Sequence, residues 1–554
     1  MTTISFNAAA NCYFAFNVST DDAINLSKLQ WRPHPDDPTK TWWTRSPYLA
    51  APLWHRVAAD DVATKTALNW YAWNYTTSFA KEPLIGTGVD TIRIPAGMKP
   101  RPFQVAGVQR GVLQKRLLIG DEAGAGKTPQ ALVVANMTRP SRTLIGCPAF
   151  LAENWAEECE SWLVDPQPIV ILNNPKKAVP DKGVIILPYS RGHTFVDKIL
   201  NGPKVDLLIG DEIHELKTPT TLKAAPWLGP AGLIANADRV IGMSGTLNPN
   251  NPLEIHGVLR TMAPNTIGNV TRDQFKELYC STFTGTAKVA RKNGGTAEVA
   301  FESNSGKNEE VLNAELRASG LGIRRMKNDV LDQLPPKDVF LIHLTPTSAI
   351  EDLVREEASL YEMLETKLLT SRELIEIKGH IANVRQRLGV LKAPKIAEYV
   401  MSLYEQGERH VVLFMVHTAA IEIIRKHFEH TRINVRVLSG QQSVSQRQRD
   451  TKAFQKSTNY ELIIGQVKAA GLGLTMTAAR YCVLGEIMWT PGLNDQAIDR
   501  VHRQTQTRQV CAPICTFPHA VEERVLRANA KKAISSQKIH DLNLMNLFPA
   551  DETN

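Results

Sequence analysis

Three short stretches of this sequence carry residue types whose spacing could do chemistry. The sharpest is GDEAGAGKT, residues 120–128, which follows the apolar run LLI and precedes a helical pattern. A glycine-containing loop at a helix N-terminus points its backbone N–H groups at anionic oxygens. Here Gly124, Ala125 and Gly126 would cradle phosphates, Lys127 would reach the β and γ phosphates, and the Thr128 hydroxyl would hold Mg²⁺. The general pattern wants glycine where Asp121 stands. The second stretch is VDLLIGDEIHE, residues 205–215, an apolar strand ending in adjacent carboxylates. Asp211 at the strand tip could share the Mg²⁺ of a nucleotide, and Glu212 could orient an attacking water. The third is QAIDRVHRQTQ, residues 496–506. On a helix Gln496, Arg500 and Arg503 fall at i, i+4 and i+7 and share a face. Arginines delivered to a phosphate from a second domain can contribute on the order of 10³-fold or more in rate.

Each stretch has a plainer reading: a chance glycine-rich turn, an ordinary acidic helix start, a solvated basic helix face. Their joint presence in one α/β chain favours the chemical one.

The surrounding pattern supplies the elements that would position these residues. From about 96 to 340, apolar strands, glycine-containing turns and helices alternate: RLLIGDEAGAGKTPQALVVANM, RTLIGCPAF, GVIILPYS, VDLLIGDEIHE, RVIGMSGT. Such alternation predicts a doubly wound parallel sheet. Residues 341–392 lack strand signals from 346 onward and carry helical charge spacing, predicting a helical linker or protrusion. Alternation resumes through HVVLFMVH, RINVRVLSG, ELIIGQV and RYCVLGEI, so 393–554 is expected to be a second α/β domain with a C-terminal helical tail. Residues 1–95 hold six of the ten tryptophans among short alternating segments such as CYFAFNV and TKTWWTR, predicting a small accessory domain with strands. The polar stretch 281–310 reads as a surface loop or hairpin.

Composition narrows the class. A chain of 554 residues should hold three or four units. With 43% hydrophobic and 22% charged residues it is globular, neither disordered nor fibrous. No apolar run approaches the ~18 residues of a membrane span, and the N-terminus lacks a signal-peptide layout, so a cytoplasmic protein with no membrane partner is expected. The seven scattered cysteines fit a reducing compartment, and CAPIC (511–515) has no neighbouring Cys/His pair, so no structural metal is expected. A formal charge of +8 favours polyanionic partners without identifying one.

Read in order, the motifs resemble the Swi/Snf-type family of helicase superfamily two over nearly all of residues 99–510. KPRPFQVAGV resembles the family's opening motif, DEAGAGKT its nucleotide loop, DEIH its DExH box and MSGTLNPNNPLEIHGVL its Ser/Thr-Gly-Thr motif. RRMKNDVLDQLPPK (324–337) resembles its basic segment between lobes. LSGQQSVSQRQRDTKAF, KAAGLGLTMTAA and QAIDRVHRQTQ resemble the second-lobe motifs. The resemblance implies two tandem RecA-like lobes with ATP and Mg²⁺ between them. It places Gln104 on adenine, gives Gln496 to the nucleotide site, and makes Ser244, Gly245, Thr246, Gly471, Gly473 and Thr475 the residues that couple to nucleic acid.

Ile213 in the box, Leu247, Ala470 and Thr505 depart from the family's usual residues, and none removes a charge needed for hydrolysis. RQRLGVLKAPKIAEYV and the short inserts look most like the annealing-helicase branch. The expected function is an ATP-dependent translocase on duplex DNA that remodels or anneals branched DNA without sequence specificity, acting as a monomer from a bacterial or viral source. The Trp-rich N-terminus is expected to recognise DNA structure. A strand-separating DNA or RNA helicase and a non-motor ATP-dependent clamp are the alternatives.

Overall fold

A computed structural model of the chain describes residues 2–517 except 59, 246–250, 266–267, 291–295, 332–333, 367–370, 468–473, 489–490 and 504. The expected C-terminal helical tail lies outside the described residues. Two compact units emerge: residues 2–281 with 304–330, and residues 282–303 with 331–517.

The first unit opens with strands β1 (Thr3–Asn7), β2 (Cys12–Phe16), β3 (Arg32–His34) and β4 (Asp37–Thr44), which form an antiparallel sheet in the order β1-β2-β4-β3. Period-two alternation sorts the aromatic residues between its faces. Tyr13, Ala15 and Trp42 pack inward, while Phe14 and its cross-strand partner Trp43 belong to the other face. Of the expected accessory tryptophans, Trp31 is buried, its indole N–H donating to the Leu49 carbonyl at 3.3 Å. This sheet shares one hydrophobic core with the larger sheet that follows, Ile4, Tyr13 and Ala15 belonging to the same cluster as Leu118, Leu208 and Val240.

That larger sheet is built from β5 (Arg116–Ile119), β6 (Arg142–Cys147), β7 (Ile169–Ile171), β8 (Gly183–Pro188), β9 (Leu207–Asp211), β10 (Arg239–Met243) and β13 (Gly322–Ile323). All pairs are parallel, in the order β13-β5-β10-β9-β6-β8-β7. The interior strands are apolar along nearly their whole length because helices cover both faces, the situation in which a strand loses its alternation. Helix Pro102–Leu113 packs closely on helix Lys127–Thr138 through Gly111, where a Cβ would come within 2.6 Å of Val134 Cγ2. The stretch read as a loop or hairpin forms a two-stranded sheet, β11 (Cys280–Ala290) with β12 (Thr296–Gly306).

The second unit holds β14 (Lys337–His343), β15 (His410–Met415), β16 (Asn434–Leu438), β17 (Glu461–Gln466), β18 (Tyr481–Leu484) and β19 (Val510–Thr516), all parallel, in the order β14-β19-β18-β15-β17-β16. Two boundaries of the sequence reading are corrected here. Strand β14 straddles the expected boundary at 340, yet it pairs with β19 along its whole length and so belongs to the second sheet. The expected break at 392 lies inside one helix, Ser371–Glu405, which continues through Pro394 because Ala393, Ile396 and Ala397 are fully buried against the second core. CAPIC forms part of β19, and neither of its cysteines is in a disulfide. No helix among the described residues is long and apolar enough to cross a membrane.

Candidate nucleotide site and its second-unit partner motifs

Register gathers the chemistry of the first unit. Met243 is aligned with Ile119 on one side and with Asp211 on the other, so β5, β10 and β9 end level. The loop after β5, the Ser244–Gly245 step after β10 and the acidic pair at the end of β9 therefore emerge side by side at the carboxyl ends of parallel strands, where such sheets bind ligands. Gly124 and Gly126 have φ of +83° and +84°, a left-handed backbone that glycine adopts without a steric penalty, and helix Lys127–Thr138 starts immediately after. Thr128 lies in its first turn. The Lys127 ammonium donates to the Asp121 carbonyl at 2.9 Å and the Glu122 carbonyl at 3.4 Å. Burial lowers its pKa, against the pull of Glu212, Asp121 and Asp211. Gln104, expected on adenine, is buried with its amide engaged: its Oε1 accepts from the Arg101 N–H at 2.8 Å, and its Nε2 donates to the Ala125 carbonyl at 3.0 Å. It braces the loop from below.

The acidic pair is held on both sides. Asp211 Oδ2 accepts the Trp155 indole N–H at 2.9 Å, its Oδ1 accepts the Glu212 N–H at 3.0 Å, and its carbonyl accepts the Tyr189 hydroxyl at 2.7 Å. Burial and the neighbouring Glu212 push its carboxyl up to about 6, against the Trp155 bond and the Lys127 charge. Glu212 has φ +47°, a left-handed conformation costing about 1–2 kcal/mol for a residue with a side chain. Its carboxylate lies 3.3 Å from His214 Nδ1 and accepts from the Ser244 hydroxyl at 3.4 Å, and His214 Nδ1 lies 2.8 Å from Ser244 Oγ. A closed Glu–His–Ser arrangement thus joins the box to the tip of the next strand. Burial opposes protonation of His214, but Glu212, with help from Glu215 and Glu254, outweighs it and raises the pKa above the ordinary value.

Ile213, the departure within the box, has a structural counterpart. Gly242, Gly210 and Gly146 stand in register across β10, β9 and β6. A Cβ at Gly242 would lie 2.9 Å from Ile213 Cδ1, and one at Gly210 would lie 3.3 Å from it. Gly242 and Gly210 make room for the larger side chain, which is fully buried, while Gly146 faces the Trp227 and Tyr189 rings. Gly245 packs against the loop itself, since a Cβ there would lie 3.2 Å from the Ala123 nitrogen. Thr246 lies outside the described residues.

In the second unit the arginine helix is shorter than expected. Helix Pro491–Ile498 stops before Arg500, so the shared face predicted for Gln496, Arg500 and Arg503 is corrected to a helix end followed by turns. The i−4 relation survives in hydrogen bonds: Arg500 Nε donates to the Gln496 carbonyl at 3.1 Å and Arg503 Nε to the Asp499 carbonyl at 3.2 Å. Arg503 Nη1 also donates to Thr475 Oγ1 at 2.6 Å, which brings two of the predicted motifs together. The Met476 N–H donates to the Arg500 carbonyl at 2.8 Å, Thr505 pairs with Thr477 at 2.9 Å, and the buried Gln506 amide donates to the Ala479 carbonyl at 2.8 Å. Gly471 and Gly473 lie outside the described residues.

Sequence reasoning assigned no role to Trp155, Tyr189, His214 or Arg325, whose role is argued below. His214 and Arg325 had a visible signal, the first two residues after Glu212 in DEIH and the second within the basic segment RRMKNDVLDQLPPK.

The chain belongs to the SNF2-related family: the SNF2-related domain matches residues 63–400, and the helicase conserved C-terminal domain matches 393–505. These are two-lobed, nucleic-acid-dependent ATPases of helicase superfamily two. Among relatives, the mouse DNA annealing helicase and endonuclease ZRANB3 is 27% identical over 420 residues, covering 74% of this chain and 38% of that protein. The Drosophila melanogaster SWI/SNF-related matrix-associated actin-dependent regulator of chromatin subfamily A-like protein 1 is 28% identical over 425 residues, covering 75% of this chain and 52% of that one. The chain therefore spans about half, or less, of the length of these relatives. A solved Sulfolobus solfataricus SWI2/SNF2 ATPase core in complex with double-stranded DNA is similar at 19% identity and a TM-score of 0.36, covering 82% of this chain and 96% of that one.

Proposed function

We propose that this chain is an ATP-driven translocase on duplex DNA that remodels or anneals branched DNA. The observation that carries the reading is the level ending of β5, β10 and β9, which sets Lys127, the Asp211–Glu212 pair and Ser244 around one point. The donor set fits a nucleotide: two left-handed glycines open the backbone of the loop, and a buried ammonium faces two carboxylates. ATP phosphates would lie on Gly124–Thr128, with Mg²⁺ held by Thr128 and Asp211. The metal would neutralise charge on the phosphates. Glu212 would orient a water whose oxygen bonds to the γ-phosphorus as the bond to the ADP oxygen breaks.

Arg500 and Arg503 would stabilise that charge from the second lobe, and Gln496 would contribute to the nucleotide site. Ser244, Gly245, Thr246, Gly471, Gly473 and Thr475 would couple hydrolysis to the DNA backbone, a contact without sequence information that weakens with salt. The Ser244 bonds to Glu212 and His214, and the Thr475 bond to Arg503, support that assignment.

The N-terminal sheet supports a role in reading DNA structure. The Trp43 ring lies 5.9 Å from the Arg32 guanidinium and 5.8 Å from that of Arg45, with Phe14 opposite it on the neighbouring strand. An aromatic ring among positive charges suits an unpaired base and its phosphate, and stacking contributes ~1–3 kcal/mol per base.

ATPase rates with single-stranded, duplex, forked DNA and RNA test the proposal, alongside triplex displacement. Strong stimulation by duplex or branched DNA with displacement of the third strand is expected. Stimulation by single strands accompanied by fork unwinding would favour a strand-separating helicase, and turnover indifferent to all of them would leave a clamp.

A further inference from the structure

We propose that Arg325 is a positioning residue for the nucleotide loop, and that the strap 321–327 it belongs to sets the conformation of the phosphate cradle. The inference rests on reading Lys127 as the phosphate-binding lysine.

Where the general loop has glycine this chain has Asp121, a fully buried carboxylate. Its partner lies 204 residues away. Asp121 Oδ1 accepts from the Arg325 backbone N–H at 3.0 Å and from its Nε at 2.8 Å, and Oδ2 accepts from Arg325 Nη2 at 2.5 Å and from Gln130 Nε2 at 2.9 Å. The same Nη2 donates to Gln130 Oε1 at 2.9 Å, and Nη1 donates to the Phe103 carbonyl at 2.5 Å. One guanidinium therefore ties the loop, the helix that follows it and the helix bearing Gln104. Gly107 is what makes room for this knot, since a Cβ there would lie 2.9 Å from Arg325 Nη2 and collide with the Gln130 side chain.

The strap is also laced to the loop along its backbone. Leu118, Gly120 and Glu122 donate their N–H groups to the Leu321, Ile323 and Arg325 carbonyls at 2.7, 2.8 and 3.2 Å. Arg324 Nη1 donates to the Gly120 carbonyl at 2.5 Å and the Gly245 carbonyl at 2.8 Å, and the Lys327 N–H donates to Glu122 Oε2 at 2.9 Å. The carbonyls that hold the Lys127 ammonium are those of Asp121 and Glu122, the two residues the strap grips. The strap also leads directly into the second unit, whose longer segment starts at 331.

The test uses the full chain with Arg325→Lys, which keeps the charge and loses the fork, and Asp121→Asn, which keeps the shape and loses the charge. Affinity for a fluorescent ATP analogue and KM for ATP are measured at a temperature where circular dichroism shows the native fold. Each variant should weaken both about tenfold, and the double variant should be no worse than the poorer single one, because a pair acting as a unit is not additive. A purely structural role would lower the melting temperature and leave KM and affinity per folded molecule unchanged, which overturns the proposal. If Arg325→Lys does not fold, Asp121→Asn decides alone. Lys127→Ala run in parallel separates the two readings. Normal turnover in it removes the phosphate-binding assignment, whereas its inactivity beside an unaffected Asp121→Asn removes only the strap.

Discussion

The two units hold their candidate residues in different ways. In the first unit, Lys127, Asp211 and Ser244 sit on backbone fixed by strand register, and each is bonded into its neighbours' elements. In the second, Arg500 and Arg503 follow the end of a helix, and their side chains reach carbonyls four residues back, Arg503 also meeting Thr475 of another motif. A site laid across parallel strand tips is placed before any ligand arrives. Arginines on turns can exchange intramolecular carbonyls for phosphate oxygens. The difference suits a division of labour: one unit that grips and one that answers.

The largest effect expected from breaking the rigid side is Lys127→Ala, which should cut DNA-stimulated ATPase by on the order of 10³-fold, measured by phosphate release. Glu212→Gln should sharpen the same point by separating binding from chemistry. It should lower kcat by about 10²-fold or more while a fluorescent nucleotide still binds. On the answering side, Arg500→Ala and Arg503→Ala should each lower kcat by on the order of 10³-fold and spare nucleotide affinity of the first unit. If either arginine variant lost affinity as completely as Lys127→Ala, the proposed division would fail.

The pH dependence should also belong to the gripping side. In its proposed role Asp211 would have to be ionised to hold Mg²⁺, and its carboxyl is raised to about 6 by burial and by Glu212. The protonated form prevails below that value, so kcat/KM for ATP should fall as pH drops through about 6. Bound Mg²⁺ favours the ionised form, so raising its concentration should move the acid limb to lower pH. For stability the sign is opposite to that of a salt-bridged carboxylate: the folded chain keeps this proton to a higher pH than the unfolded chain does. The contribution of this group to stability is therefore largest below about 4 and declines as pH rises through about 6. An acid limb insensitive to Mg²⁺ would assign it to another group.

Much of the gripping side was legible because its signals are local. Strand, glycine turn and helix follow one another within GDEAGAGKT, and VDLLIGDEIHE ends its strand at the carboxylates. What the sequence concealed were partners far along the chain. Nothing near Asp121 announces Arg325, nothing near Asp211 announces Trp155, and the two glycines under Ile213 come together only once β9 and β10 align. The helix end at Ile498 was hidden for a different reason. The i, i+4, i+7 spacing continues past it, but Met476 and Gln506 bind the following turn instead of a further helical turn. Strand β14 was misplaced because its partner β19 lies at the far end of the second unit's chain, and pairing across that distance leaves no local trace.

Ile213 tests whether register alone places the acidic pair. Ile213→Ala should leave a void over Gly210 and Gly242 and destabilise the first unit by about 2–5 kcal/mol, read from a chemical denaturation curve. It should also lower turnover more than Ile213→Val, which costs about 1 kcal/mol.

The smallest effect belongs to the answering side, at Thr505. Its hydroxyl pairs with Thr477 and links the arginine turn to the segment carrying Thr475. Thr505→Val keeps the shape and removes the bond, which lies at an exposed site, so the loss in stability should be at most about 1 kcal/mol. A catalytic consequence tells more than the melting curve. If the turn is held loosely so that its arginines can change partners, kcat should shift less than threefold while the dependence on duplex concentration changes. If kcat instead fell as far as in Arg503→Ala, the turn would be a rigid part of the site, and the contrast between the two units would dissolve.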